Sequence, residues 1–177
     1  MCRNFFRRKR LKKDSFKDRT GFVALKDIHT VAAVMDAGIP EFEKCRKNLE
    51  KFCRDHNISL TLLYVDMRKF KNDVQMVTEL QETVIRKDLN WTGRPDASKT
   101  SAVLSKTYDL YICLVDSDSY CIEYISKCAR ARFKIGWKAF KGDPYDFVVS
   151  SSSDGSSRPD TVNDIFGTIK EFLTKIG

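Results

Sequence analysis

The chain has 177 residues, 42% of them apolar, and 12 Phe, enough for one domain that buries roughly 70% of its unfolded surface and too much for a wholly disordered chain. Its formal net charge of +8 is unevenly placed: residues 1–26 carry ten Lys or Arg and two Asp, whereas residues 27–177 carry 22 basic and 22 acidic residues. The sequence therefore divides into a basic N-terminal arm, 1–26, and an electrically neutral single domain, 27–177.

The arm comes first. A concentrated positive charge seeks an anionic partner, either RNA or the inner leaflet of an acidic membrane. The residues expected to make that contact are Arg7, Arg8, Lys9, Arg10, Lys12 and Lys13. Near an anionic membrane each contributes on the order of 1 kcal/mol before ordering costs. Drawn as a helix, Phe5, Phe6, Leu11 and Phe16 point in scattered directions, so the arm makes a poor amphipathic helix, and a solvated tail is the alternative. The basic run is followed by Asp14, Ser15 and Lys17 instead of an apolar stretch, so no secretory signal is expected. No apolar run approaches bilayer length, which predicts a soluble protein, peripheral to the inner membrane at most. The six Cys contain no C-x-x-C pair and lie mostly in apolar patterns, as reduced thiols do in the cytoplasm.

Beyond the arm, three near-continuous apolar runs read as strands buried on both faces: Thr30 to Asp36, Leu60 to Asp66 and Asp109 to Asp116. Shorter strands are expected at Thr83 to Lys87, Arg132 to Ile135 and Tyr145 to Val149. Helical patterns alternate with them. Pro40 suits a first helical position, followed by a stripe of Phe42, Cys45, Leu49, Phe52 and Cys53. Residues 96–107 predict another helix. Ile122, Ile125, Cys128 and Ala129 mark a third, begun by Ser117 or Asp118. Asp160 or Thr161 caps a last one through Val162, Ile165, Phe166, Ile169, Leu173 and Ile176. The segment from Asp73 to Gln81 is ambiguous. Ser150 to Ser157 is a low-complexity loop. Alternation of this kind predicts an α/β fold, a three-layer α/β/α sandwich around a mostly parallel, five- or six-stranded Rossmann-like sheet.

In such a sheet ligands bind beyond the carboxyl ends of the strands, at the topological switch point. Asp36, Asp66 and Asp116 each end a strong strand, and three converging carboxylates would suit Mg²⁺. Asp in those places also simply turns the chain and caps the next helix. The loop Asn90-Trp-Thr-Gly-Arg-Pro95 follows a short strand. Its Trp91 offers a face for a base or sugar ring and its Arg94 a partner for phosphate, unless Trp91 packs inward and Gly93 only shapes a turn. The serine loop and Arg158 lack the G-x-x-x-x-G-K-[ST] pattern, and no G-x-G-x-x-G occurs, so no NAD or FAD and no other cofactor is expected. His56 lies three residues after Cys53 with no further metal ligand nearby, and His29 has no evident partner. No nucleophilic catalytic arrangement is visible.

The basic start, Val34-Met-Asp36, Arg86-Lys-Asp-Leu-Asn-Trp-Thr-Gly-Arg-Pro95 and Tyr108-Asp-Leu are joined by Ala129-Arg-Ala-Arg-Phe-Lys-Ile-Gly136 and Tyr145-Asp-Phe. Together they resemble an uncharacterised family of small α/β proteins of Bacteroidota, a domain of unknown function that supplies no functional residues. Ala131 to Gly136, with the strand and helix before it, is similar to part of the amino-terminal domain of lipopolysaccharide heptosyltransferases. Those enzymes bind the sugar nucleotide with a second Rossmann-like domain, so the similarity implies a remnant half that binds without transferring. Two functions are thus expected. The first is a non-enzymatic cytoplasmic binding module docked through its arm. The second is a nucleotide- or sugar-nucleotide-binding, transferase-like domain using Asp36, Asp66, Trp91, Arg94 and Asp116.

Overall fold

In a computed structural model, residues 2–18, 20–69, 78–140, 142–149 and 161–175 are described. The expected serine loop, Arg158, Asp160, Ile176 and most of the ambiguous Asp73 to Gln81 segment fall outside them. Six strands form one sheet: β1 (Thr30–Asp36), β2 (Ser59–Asp66), β3 (Thr83–Ile85), β4 (Thr107–Leu114), β5 (Arg130–Gly136) and β6 (Phe147–Val148). Their order is β3-β2-β1-β4-β5-β6 and every pairing is parallel. The sheet thus has the larger of the two expected strand counts and is parallel throughout. That order reverses direction between β1 and β4, which makes their carboxyl ends the switch point.

The apolar strand runs arise because side chains alternate between two covered faces. In β1, Val31, Ala33 and Met35 join one core cluster, while Ala32 and Val34 join the other. In β4 the division is Leu110, Ile112 and Leu114 against Tyr111 and Cys113. Helices α2 (Phe42–Asp55) and α5 (Val162–Lys175) cover the first face through Cys45, Leu49, Phe52, Ile165 and Ile169. Helices α3 (Ala97–Leu104) and α4 (Tyr120–Cys128) cover the second through Val103, Cys121, Ile122 and Ile125.

Local chemistry sets the helix starts. Asp96 caps α3, its Oδ1 accepting from the Ser98 amide at 2.8 Å. Ser119, not Ser117 or Asp118, caps α4 by accepting from the Ile122 amide at 3.4 Å. Thr161 and Asp164 exchange side-chain and backbone hydrogen bonds at the start of α5. Pro40 lies before α2 instead of inside it, because Glu41 takes a left-handed conformation (φ 63°) and the helix begins only after it. At the amino edge of the sheet, Asp109 Oδ2 accepts from the amides of His29 and Thr30 and from the Thr30 hydroxyl at 2.9–3.0 Å, tying β4 to the entry of β1.

The basic arm contains a helix, α1 (Cys2–Asp14). It lies on the outside of α4 and adds a layer to the expected three. One face of α1 carries Arg7, Leu11 and Asp14, spaced i, i+4, i+7. Leu11 is buried in a third cluster with Tyr120, Tyr124 and Cys128. The Tyr124 hydroxyl donates to Asp14 Oδ2 at 2.8 Å, and the Phe16 amide donates to the Lys127 carbonyl at 2.9 Å. The chain then passes the start of β5, where the amides of Thr20 and Gly21 donate to the Arg132 carbonyl. Its next packing contact is on the opposite face, where Phe22 meets Phe133 and Phe172 edge-on.

Candidate functional site

Two places carry the candidate residues: the carboxyl edge of the sheet, and the ridge formed by α1 with the loop at 90–95.

At the carboxyl edge, Asp36 and Asp66 end neighbouring strands. Asp66 is only 1% exposed and accepts a bidentate pair from Arg68, at 3.0 Å from Nε and 2.6 Å from Nη2. Asp36 Oδ1 accepts from the Gly38 amide at 2.8 Å. Burial pushes the Asp36 carboxyl above its ordinary range, and neighbouring Asp66 adds to that; the Gly38 amide and Arg68 pull it back. Asp116 stands apart, 56% exposed and paired with Lys138 at 3.2 Å. Among the described residues no three His, Cys, Asp or Glu side chains come together in a way that could hold a metal ion. The three strand-end aspartates therefore do not form the magnesium site their positions suggested. Each answers to a local partner instead.

The first turn at this edge is crowded. In dinucleotide-binding domains the first turn approaches the pyrophosphate through glycine backbone, and an acid after the second strand accepts from ribose. Here Asp66 is closed off by Arg68. A Cβ added at Gly38 would meet Arg68 Nε at 3.0 Å and Asp36 Oδ1 at 3.1 Å, so side chains already fill the space over this turn. His56 ends α2, with Nδ1 2.9 Å from the Phe52 carbonyl and its ring against Phe52.

The second place joins two distant segments. Asn90 builds its loop with one side chain: Oδ1 accepts from the amides of Thr92 and Arg94 at 3.0 and 3.1 Å and from the Thr92 hydroxyl at 2.7 Å. The backbone closes the loop, Asn90 and Arg94 pairing at 2.9 Å and Leu89 bridging Pro95. Gly93 adopts φ +88°, and α1 crosses above it: a Cβ there would lie 3.0 Å from Arg7 Nη2. Arg7 holds the crossing. Its Nε donates to the Thr92 carbonyl at 2.5 Å and its guanidinium lies 4.6 Å from the Tyr120 ring centre.

This crossing leaves Trp91 outside, 62% exposed, with Phe6 at 49% and Phe5 at 63%. Phe6 meets Trp91 edge-on at 5.6 Å and Phe5 at 5.8 Å, so the three rings form one contiguous aromatic patch. The six arm cations divide. Arg7 is committed to Thr92 and Tyr120, and Arg10 pairs with Asp14. Arg8, Lys9, Lys12 and Lys13 are exposed and form no ion pair among the described residues. Beside α1 runs an open cleft of about 760 Å³ whose walls include Arg8, Lys12, Lys17, Lys127 and Tyr120. Below it Lys134, 1% exposed, donates to the Ser126 carbonyl at 2.8 Å. Ser126 Oγ in turn joins the hydroxyls of Tyr111 and Tyr145 at 3.1 and 2.8 Å.

A profile of a family of unknown function, DUF6913, matches residues 3–158, which takes in α1, the 90–95 loop and the whole sheet. The chain belongs to that family. No curated protein and no solved structure matches it. The matched span runs through the basic helix as well as the strands, in keeping with a helix packed on the rest of the fold. The sequence singles out Trp91 and the arm cations separately. It does not reveal that Phe6 and Arg7 bring them together. The signal was the pairing of aromatic and basic residues at 5–8 with an aromatic in a rigid loop, but nothing in the sequence placed those segments side by side.

Proposed function

We propose that this protein is a non-enzymatic docking module that holds an anionic, phosphate-bearing surface through the cationic outer side of α1. The observation that carries this reading is the division of charge on the helix. Arg7, Leu11 and Asp14 fasten it to the body, and Arg8, Lys9, Lys12 and Lys13 are left exposed, with no acidic partner among the described residues. A helix of 13 residues is about 20 Å long, so these four charges meet one surface together. At about 1 kcal/mol each they supply about 4 kcal/mol, comparable to a millimolar Kd. Such a contact is weak and salt-sensitive by itself. The edge site is the poorer alternative, because Asp66 is buried under its pair with Arg68 and the turn at Gly38 is crowded by the side chains of Arg68 and Asp36.

Among the described residues no helix is long and apolar enough to cross a membrane. A place in the cytoplasm, peripheral to the inner leaflet or to RNA, completes the proposal. The test is retention on immobilised heparin as salt rises, for the full chain and for a variant with Arg8, Lys9, Lys12 and Lys13 all replaced by Gln. The native chain is expected to elute later, with an affinity that falls steeply with salt. Equal elution of the two proteins would refute the reading. Substitution is preferable to deleting the arm, because deletion would uncover Tyr120 and Tyr124.

A further inference from the structure

We infer that Phe5, Phe6 and Trp91 form an aromatic wedge that enters the headgroup region of an anionic phospholipid surface. This deepens the docking reading above and rests on it. Four features point to lipid.

First, the patch is built and not incidental. It joins residues from α1 with a residue more than 80 positions away, and the Asn90 fork fixes the loop that presents Trp91. Large exposed aromatics in contact with one another are uncommon on a soluble surface unless something covers them.

Second, its side chains suit an interface. Trp and Phe pack their apolar bodies against acyl chains, and the indole N–H stays at the level of the polar headgroups.

Third, the charge is complementary. Helical spacing puts Lys9 and Lys13 opposite Leu11, with Phe5 and Lys12 on the flank beside Lys9. Aromatics at the first turn are thus followed by cations along the rest of the helix, where anionic headgroups would meet them once the rings are seated. Within a Debye length of about 8 Å at physiological salt those cations would strengthen partitioning about fivefold each.

Fourth, the ring geometry disfavours RNA. Stacking a base needs an open ring face. Here successive rings meet at 80° and 74°, so bases laid on neighbouring rings would lie crosswise and lose their stacking on one another. Hydrocarbon imposes no such orientation.

The experiment uses the full chain with Trp137→Phe, which leaves Trp91 as the sole indole. Its emission is followed with vesicles of equimolar phosphatidylcholine and phosphatidylglycerol, with pure phosphatidylcholine vesicles, and with single-stranded RNA. The expected result is a blue shift with the anionic vesicles alone, quenched by lipids brominated on their acyl chains. Adding Phe5→Ser and Phe6→Ser is expected to weaken vesicle binding about tenfold or more, while heparin retention, which reads the cations, is kept. Vesicle binding with Trp91 emission unchanged would overturn the wedge and leave the docking reading standing. So would a response of Trp91 to RNA with none to vesicles. Failure to bind heparin, RNA or vesicles would overturn both.

Discussion

Leu11→Ala separates a helix that is part of the folded body from one that is loosely tethered. Leu11 is 8% exposed and packs among Tyr120, Tyr124 and Cys128, a cluster distinct from the two main cores. Truncating a buried leucine costs about 2–5 kcal/mol. The site is the outermost layer, where the flanking tyrosines can settle into the space, so the low end, about 2 kcal/mol, applies. The loss falls on the docking of α1 and not on the sheet, because none of β1, β2 or β4 contributes to this cluster. An opening equilibrium shifted by about 2 kcal/mol changes about 30-fold. Hydrogen exchange read by mass spectrometry should therefore show peptides from 2–14 losing about 30-fold in protection, with peptides from β1 and β4 almost unchanged. Equal losses in α1 and the central strands would show that the helix is not a separately opening layer. Absence of protection over 2–14 in the native protein would show that it is not docked at all.

Two further outcomes follow from the buried groups. Burial would raise the Asp109 carboxyl, but hydrogen bonds from His29, Thr30 and Arg132 outweigh it and hold the group below the ordinary carboxylate range. The unfolded chain then binds the extra proton, so this stabilisation is present above the unfolded value and is lost as pH falls through the folded one. Asp109→Asn is expected to cost about 1–2 kcal/mol near neutral pH, and urea unfolding should show the difference shrinking on acidification; a pH-independent difference would contradict the assignment. Burial also pushes the thiols of Cys45, Cys53 and Cys121 up to about 12 and that of Cys128 up to about 11. Cys2 is exposed, and the other five thiols are buried. A thiol reagent at mildly alkaline pH should modify Cys2 quickly and the remainder only in denaturant, and rapid reaction of a second thiol would refute the packing.

Much of the fold was legible because strands buried on both faces cannot hide their composition. Thr30 to Asp36 reads as a strand in isolation, and β1 has those limits. The stripes Phe42–Cys53 and Val162–Leu173 likewise predict α2 and α5, whose buried faces they are. The order of strands was not legible, since pairing is decided by crossovers that no single segment specifies. Helix α1 was illegible for a different reason. It buries one aliphatic side chain, Leu11, and makes its other contacts through Phe6, Arg7 and Asp14, which fall on no single apolar stripe. At the candidate sites, sequence position proposed that three aspartates converge. Local capture by Gly38, Arg68 and Lys138 decided otherwise.

The contact between α1 and α4 has a consequence for synthesis. Arg7 and Tyr120 are separated by 113 positions, and a ribosome adding about 5–20 residues per second needs about 6–23 seconds to travel between them. Throughout that interval the helix has left the exit tunnel with nothing to lie on, its aromatic and cationic side chains open to every polyanion in its surroundings. The helix is made long before its seat, and whatever it touches meanwhile must let go before the two can meet.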